Sequence, residues 1–289
     1  MLDRIALGTA QFGLDYGINN KRGKIQKEEA FQILDYAYEN GITTLDTAYA
    51  YGDSEIVIGD FLRETNYKFK IISKINNYEN PEFIVQESLK RLNQITLYGF
   101  LVHNFSSFKN NPHIYKTLKT FKDNAKILKI GFSLYYPHEI DYLFENNIEF
   151  DIAQIPYSIF DQRFEEYFAI LKTRDVDIYV RSVFLQGLYF MNPKKLDKYF
   201  IVARNKINKL HELSKKIGVS IASICLNFVL LNKYIDKVVI GVDNLSNFTE
   251  NISIIKEKYI VRQYYEILKE MITEYEDIIL PFKWPKSTV

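Results

Sequence analysis

Apolar positions along the chain alternate between two spacings. Short unbroken apolar runs read as strands buried on both faces, and runs with apolar residues three and four apart read as helices packed by one side. The first strand is Arg4-Ile5-Ala6-Leu7-Gly8-Thr9, followed by a polar loop carrying Gly13, Tyr16, Gly17 and Gly23. A helix comes next. Glu28 and Glu29 near its start suit the helix dipole, Ala30, Ile33, Leu34 and Ala37 form its buried stripe, and Gly41 follows its end.

The same alternation then repeats. Strand Ile42 to Asp46 leads to a helix from about Glu55 to Arg63. Strand Phe69 to Lys74 leads to a helix with Val85, Leu89 and Leu92 on one face, and strand Leu97 to His103 to a helical region opened by Asn111-Pro112. Strand Ile127 to Ser133 is followed by helix Pro137 to Asn146, and strand Phe150 to Ile155 by helix Phe164 to Leu171. After strand Asp177 to Ser182 come a long loop and two helical segments reaching Asn232. Strand Lys237 to Gly241 and a helix around Phe248 to Glu257 close the series.

Eight strand-then-helix units predict an α/β fold, a single-domain (β/α)8 TIM barrel over residues 1–289. An open doubly wound sheet is the alternative. Such a sheet binding a dinucleotide would carry a G-x-G-x-x-G turn after its first strand, and this chain has none there.

Composition narrows the class. Apolar residues make up 47% and charged residues 25%, as expected of a globular chain with a large core. With 37 basic and 36 acidic side chains spread along it, the chain shows no electrostatic footprint for nucleic acid or an anionic membrane. The N-terminus lacks the apolar core of a signal sequence and no run approaches membrane-spanning length, so a cytoplasmic chain is expected. Cys225, the one cysteine, lies in an apolar helical run and reads as a buried, inert thiol.

In a barrel, the residues that end the strands face one mouth, where such enzymes keep their reactive groups. Asp46, Lys74 and His103 end the second, third and fourth strands, and Tyr51 hangs from the loop after Asp46. These types suit carbonyl reduction, in which an alkoxide forms and needs a proton donor and nearby positive charge. A phenol with a pKa of about 10 is a reluctant acid unless an ammonium lowers it. Lys74 is expected to do that, held by Asp46, with Tyr51 as acid in reduction and base in oxidation, and His103 bonding the carbonyl oxygen. The hydride must come from a cofactor. His113, His138 and His211 are scattered on helical or loop segments and are expected at the surface; no metal site is expected.

The run Asp46-Thr47-Ala48-Tyr49-Ala50-Tyr51-Gly52-Asp53-Ser54-Glu55 resembles the DTAxxYGxSE signature of the aldo-keto reductase family, and Ser88-Leu89-Lys90-Arg91-Leu92 its SLxRL helix. The family's Asp, Tyr, Lys and His tetrad matches in order and strand context. The resemblance implies cofactor contacts at Gly8, Thr9 and Asp46. Gly131-Phe132-Ser133 is similar to the GxSN strand end that holds the nicotinamide carboxamide, with Leu134 in place of Asn, and Gln154 matches a Gln with the same role. Arg181 stands where an aromatic commonly stacks on the nicotinamide, and a guanidinium plane can stack in its place. Ser182, Phe184 and Gln186 correspond to the loop along the pyrophosphate, and Gly241, Val242, Asn244, Asn247, Glu250 and Asn251 to the adenosine end. Many relatives bind the 2'-phosphate of NADP there with Lys or Arg. Residues 241–251 contain no base, so NADP by family habit and NAD stand nearly level.

The substrate is expected to be a small carbonyl or sugar-derived compound, near Phe12, Tyr16, Tyr49, Tyr135, Tyr157, Phe184, Tyr189 and the tail residue Trp284. Leu7-Gly8-Thr9-Ala10-Gln11-Phe12-Gly13-Leu14-Asp15-Tyr16-Gly17, Phe160-Asp161-Gln162-Arg163-Phe164 and Ile240-Gly241-Val242-Asp243 are similar to a bacterial branch associated with surface-polysaccharide and nonulosonic-acid sugars. Two other readings stay open: a non-catalytic dinucleotide-binding barrel serving as sensor or interaction subunit, and an isomerase or aldolase using Lys74 as a Schiff-base amine.

Overall fold

The computed structural model describes residues 1–18, 20, 22–76 and 79–285. Eight parallel strands close into one barrel in chain order, forming a single domain: β1 (Ile5–Gly8), β2 (Thr44–Asp46), β3 (Lys70–Ile75), β4 (Leu97–Val102), β5 (Ile127–Ser133), β6 (Ile152–Pro156), β7 (Asp177–Arg181) and β8 (Lys237–Gly241). The TIM barrel expected from the apolar runs is the fold observed, and the open sheet is excluded by the pairing of β1 with β8.

Helices α1 (Lys27–Glu39), α2 (Ser54–Glu64), α3 (Pro81–Arg91), α4 (Phe105–Asn110), α5 (His113–Asp123), α6 (Pro137–Glu145), α7 (Phe168–Thr173), α8 (Arg204–Ile217), α9 (Ile221–Leu231) and α10 (Leu245–Ser253) connect or follow the strands. Their apolar faces and the outward faces of the strands make the main core. Inside the barrel, Ile72, Leu101, Ile152 and Tyr179 form a smaller buried layer that plugs it. Ladder register then sets the level of the strand ends, with Gly8 beside both Asp46 and Gly241, Ser133 beside Gln154, and Pro156 beside Arg181.

Helices beyond the expected set occur at two places. The short α4 follows β4 directly, capped by the Asn104 side chain, which accepts from the Ser107 amide. Beyond α10, α11 (Lys258–Arg262), α12 (Tyr265–Lys269) and α13 (Glu276–Ile279) lead into the tail. Trp284 does not reach the mouth: it packs edge-on against Phe200 at 4.9 Å, and its indole donates to the Asp277 carbonyl. No single described helix is long and apolar enough to cross a membrane.

Two loops at the carboxyl ends of β1 and β2 meet backbone to backbone. A Cβ added to Gly13 would lie 1.8 Å from the Tyr51 carbonyl oxygen, and one added to Gly52 would lie 2.4 Å from that of Gly13. Gly52 also takes φ +51, which glycine adopts without steric cost. Gly13→Ala is therefore expected to push the two loops apart, lowering stability by about 2 kcal/mol. Urea unfolding of the variant beside the wild type measures this.

Candidate active site

The groups singled out at the strand ends converge. Lys74 is completely buried, and its ammonium donates to Asp46 Oδ2 at 2.7 Å and to the Thr47 carbonyl at 2.8 Å. Asp46 Oδ1 accepts from Gln154 Nε2 at 2.6 Å, so one carboxylate ties β2 to both β3 and β6. The Tyr51 ring stands 5.0 Å from the ammonium and edge-on to the His103 ring at 5.7 Å. With its charge engaged twice and no exposure, Lys74 is built as a fixed cation rather than as an amine free to attack a carbonyl.

The last two residues of the 46–55 run have structural work. Ser54 Oγ donates to the Thr9 carbonyl at 2.8 Å and lies 3.0 Å from Thr47 Oγ1, while Thr9 Oγ1 donates to the Asp46 carbonyl. Glu55 accepts from the Ser73 hydroxyl at 2.6 Å, beside Lys74, and burial holds its carboxyl above the usual range. Each hydroxyl here pins a strand end.

The electrostatics differ from expectation at Tyr51. Burial, and then the Asp46 carboxylate, push the phenol well above its ordinary value; Arg181 is the group that pulls it down. Lys74 is not among the groups that lower the phenol; burial draws its own pKa down, opposed by the charge and hydrogen bond of Asp46. Tyr51 consequently stays protonated. His103 is depressed to about 3 by burial and by the charges of Lys74 and Arg181, so its ring is neutral near pH 7. Its Nδ1 is buried with no partner among the described residues. An orphaned lone pair costs less than an orphaned N–H, which places the proton on Nε2, where a ligand in the cavity can accept it.

Asp46, Tyr51 and His103 line a cavity of about 820 Å³, with Lys74 fully buried against Asp46. Gly8, Thr9, Ser133 and Gln154 line it beside them, and Arg181, Ser182, Phe184 and Gln186 form one wall. Ser182, Leu185, Gln186 and Gly187 all have positive φ, and the Gln186 amide donates to the Tyr16 hydroxyl at 3.0 Å, joining that wall to the loop after β1. The far arm is lined by Gly241, Val242, Asn247, Glu250 and Asn251. Asn244 does not line it: its side chain caps α10 by accepting from the Asn247 amide at 2.8 Å.

Of the aromatics expected at the mouth, Tyr16, Tyr135 and Phe184 line the cavity, joined by Phe190. Phe12, Tyr157 and Tyr189 are fully buried core, and Tyr49 packs under the Arg91 guanidinium at 4.3 Å. His113 and His138 are exposed as expected, but His211 is half-buried, with Nε2 2.9 Å from the Tyr189 carbonyl oxygen. Cys225 is buried, and burial raises its thiol, as an inert core residue requires.

Sequence reading overlooked Gln11. It lines the cavity against Gly241, bonds Asp243, and leaves its Oε1 buried without a partner among the described residues. It also overlooked Glu29, whose carboxylate accepts from the Leu245 amide at the start of α10. Neither lies at a strand end, and no local pattern marks them.

Known proteins resemble this chain in sequence and in fold. The sequence model described as the Aldo/keto reductase family matches residues 4–273. The uncharacterized oxidoreductase YqkF of Bacillus subtilis (strain 168) is 23% identical over 273 residues, 85% of this chain and 89% of that protein. The aldo-keto reductase YhdN of the same organism is 26% identical over 179 residues, 56% of this chain and 52% of its own length. Among solved structures, the aldo-keto reductase AKR11C1 from Bacillus halodurans in its holo form superposes with a TM-score of 0.74 at 20% identity, covering 94% of both chains.

The depressed His103 carries a signature in stability. Unfolded, the ring takes its proton at about pH 6.5, whereas folded it refuses it until about 3. Between those values the unfolded state binds more protons, so stability is lost as pH falls from about 6.5 toward 3. Unfolding by urea at pH 7 and pH 4.5 is expected to show a difference that shrinks in His103→Gln, by up to about 2 kcal/mol.

Proposed function

The chain belongs to the aldo/keto reductase family, and from that premise we propose that it interconverts a small carbonyl compound and its alcohol with Tyr51 as the proton-transfer group. Oxidoreduction with NAD(P)(H) follows from membership of the family. What supports the finer reading is that phenol, carboxylate and imidazole line one cavity, with the buried Lys74 ammonium 5.0 Å and the His103 ring 5.7 Å from the Tyr51 ring.

In reduction the carbonyl oxygen gains negative charge. An alkoxide is far more basic than a phenolate, so Tyr51 yields its proton to that oxygen even though burial and Asp46 hold it firmly. His103 donates from Nε2 to the same oxygen and fixes it before transfer. Lys74 keeps a positive field at the cavity floor, and Asp46 keeps that ammonium charged and in place. In oxidation the phenol takes the proton back.

The dinucleotide fits the donors present. When bound, its nicotinamide supplies the hydride that no side chain can give. Gln154 has its amide nitrogen committed to Asp46, which leaves Oε1 to accept from the carboxamide N–H, and Ser133 offers a hydroxyl to the carboxamide oxygen. Leu134, fully buried, adds nothing polar. The wall at Ser182, Phe184 and Gln186 would carry the pyrophosphate, and the arm from Gly241 to Asn251 the adenosine.

We further read the cofactor as NAD(H). Asp243 and Glu250 line the far arm, and Arg181, at the opposite end, is the one permanently charged base lining the cavity among the described residues. Arg22, whose charge reaches Asp243, is held by Glu29 at 3.2 Å, and Glu29 sits on the first amide of α10. A 2'-phosphate brought there meets carboxylates, whereas ribose hydroxyls meet acceptors.

Two measurements test these statements. Tyr51→Phe is expected to cut kcat by about three orders of magnitude while NADH affinity stays within about twofold. A variant that loses cofactor binding and retains its rate at saturating NADH contradicts the assignment. Calorimetric titration is expected to give NADH a Kd about tenfold below that of NADPH, and equal affinities would remove the case for NAD.

A further inference from the structure

We propose that the substrate carries a carboxylate close to its reacting carbon and that Arg181 recognises it. This inference rests on the oxidoreductase reading for the position of the reacting carbon, and it adds the chemical class of the compound.

Arg181 ends β7 and lines the cavity half-buried, yet it makes no ion pair with any described residue. Its guanidinium lies over the Tyr135 ring at 4.1 Å, which covers one face. Nη2 donates to the Leu134 carbonyl at 2.9 Å, and Nη1 makes a long contact of 3.4 Å with Ser182 Oγ. Nε donates to nothing among the described residues. The fork is thus held flat and in place with donors to spare.

Two buried acids of this end, Asp46 and Glu139, are committed elsewhere. Asp46 is bound by Lys74 and Gln154, and Glu139 accepts from the amides of Tyr135 and Tyr136 at 2.6 and 3.0 Å. A cation withdrawn from water without a counter-ion is unfavourable unless an anion arrives with a ligand. The guanidinium charge acts on Tyr51, His103 and Lys74 alike, which places it at the reacting end rather than along the far arm. A structural tether to Leu134 needs one N–H and no charge. A planar fork with two free donors matches a carboxylate, and a group so held discriminates by charge and shape together.

The test compares two aldehydes that differ in charge beside the reacting carbon, glyoxylate and its methyl ester, each reduced with NADH by the wild type, Arg181→Gln and Arg181→Lys. The wild type is expected to favour the carboxylate in kcat/KM by about tenfold or more. Arg181→Gln should bring the ratio to about one, and Arg181→Lys, which keeps the charge without the fork, should fall between. A wild-type ratio of one or less overturns the proposal. So does a ratio that survives Arg181→Gln while NADH affinity falls, which would make Arg181 a cofactor group alone. Should neither aldehyde be turned over, the oxidoreductase reading fails separately. Calorimetry with the NADH-loaded protein then decides the inference: benzoate binding more tightly than benzamide in the wild type but not in Arg181→Gln supports it, and equal binding in the wild type ends it.

Discussion

The ion pair between Lys74 and Asp46 is the constraint on which the site is built. Removing two charges from water inside a barrel is costly, and a pair in such a place is weak evidence of stabilisation. Here each charge is engaged twice: Asp46 by Lys74 and Gln154, Lys74 by Asp46 and the Thr47 carbonyl. The pair sits above the apolar layer of Ile72, Leu101, Ile152 and Tyr179, which excludes water from below. Its return is positional, because three strands are tied at one level and the phenol and imidazole close to it inherit a fixed setting.

That setting polarises the whole cavity. The reacting end holds the buried ammonium, a neutral imidazole and an unmatched guanidinium, while the far arm presents Asp243 and Glu250. A ligand negative at one end and rich in hydroxyls at the other lies along this gradient with its charge correctly directed. Tyr51 sits where the opposing influences of Asp46 and Arg181 cross. Its proton is held rather than loosened.

The strands and the tetrad were legible in the chain because both are local. Parallel strands buried on two faces write themselves as apolar runs, and a reactive residue at the end of such a run has a known place in a barrel. What stayed hidden depends on partners distant in sequence. Gln154 reaches Asp46 across 108 positions and Leu245 meets Glu29 across 216, and no window of neighbouring residues contains either bond. The misjudged acidity of Tyr51 has the same origin, since its burial and the opposing charges of Asp46 and Arg181 are assembled by the fold. Phe12, Tyr157 and Tyr189 went to the core for a related reason: an aromatic near a predicted loop has no local mark that separates lining from packing.

The contact between Gly13 and the loop of Tyr51 and Gly52 bears on how such an enzyme can diversify. Main chain pressed against main chain leaves no side chain there to exchange, so the loop that carries Tyr51 is insulated from sequence drift in its surroundings. Tyr16, Tyr135, Phe184 and Phe190 enclose the cavity through side chains alone. New substrate ranges can be selected on those walls while the reacting chemistry is inherited intact.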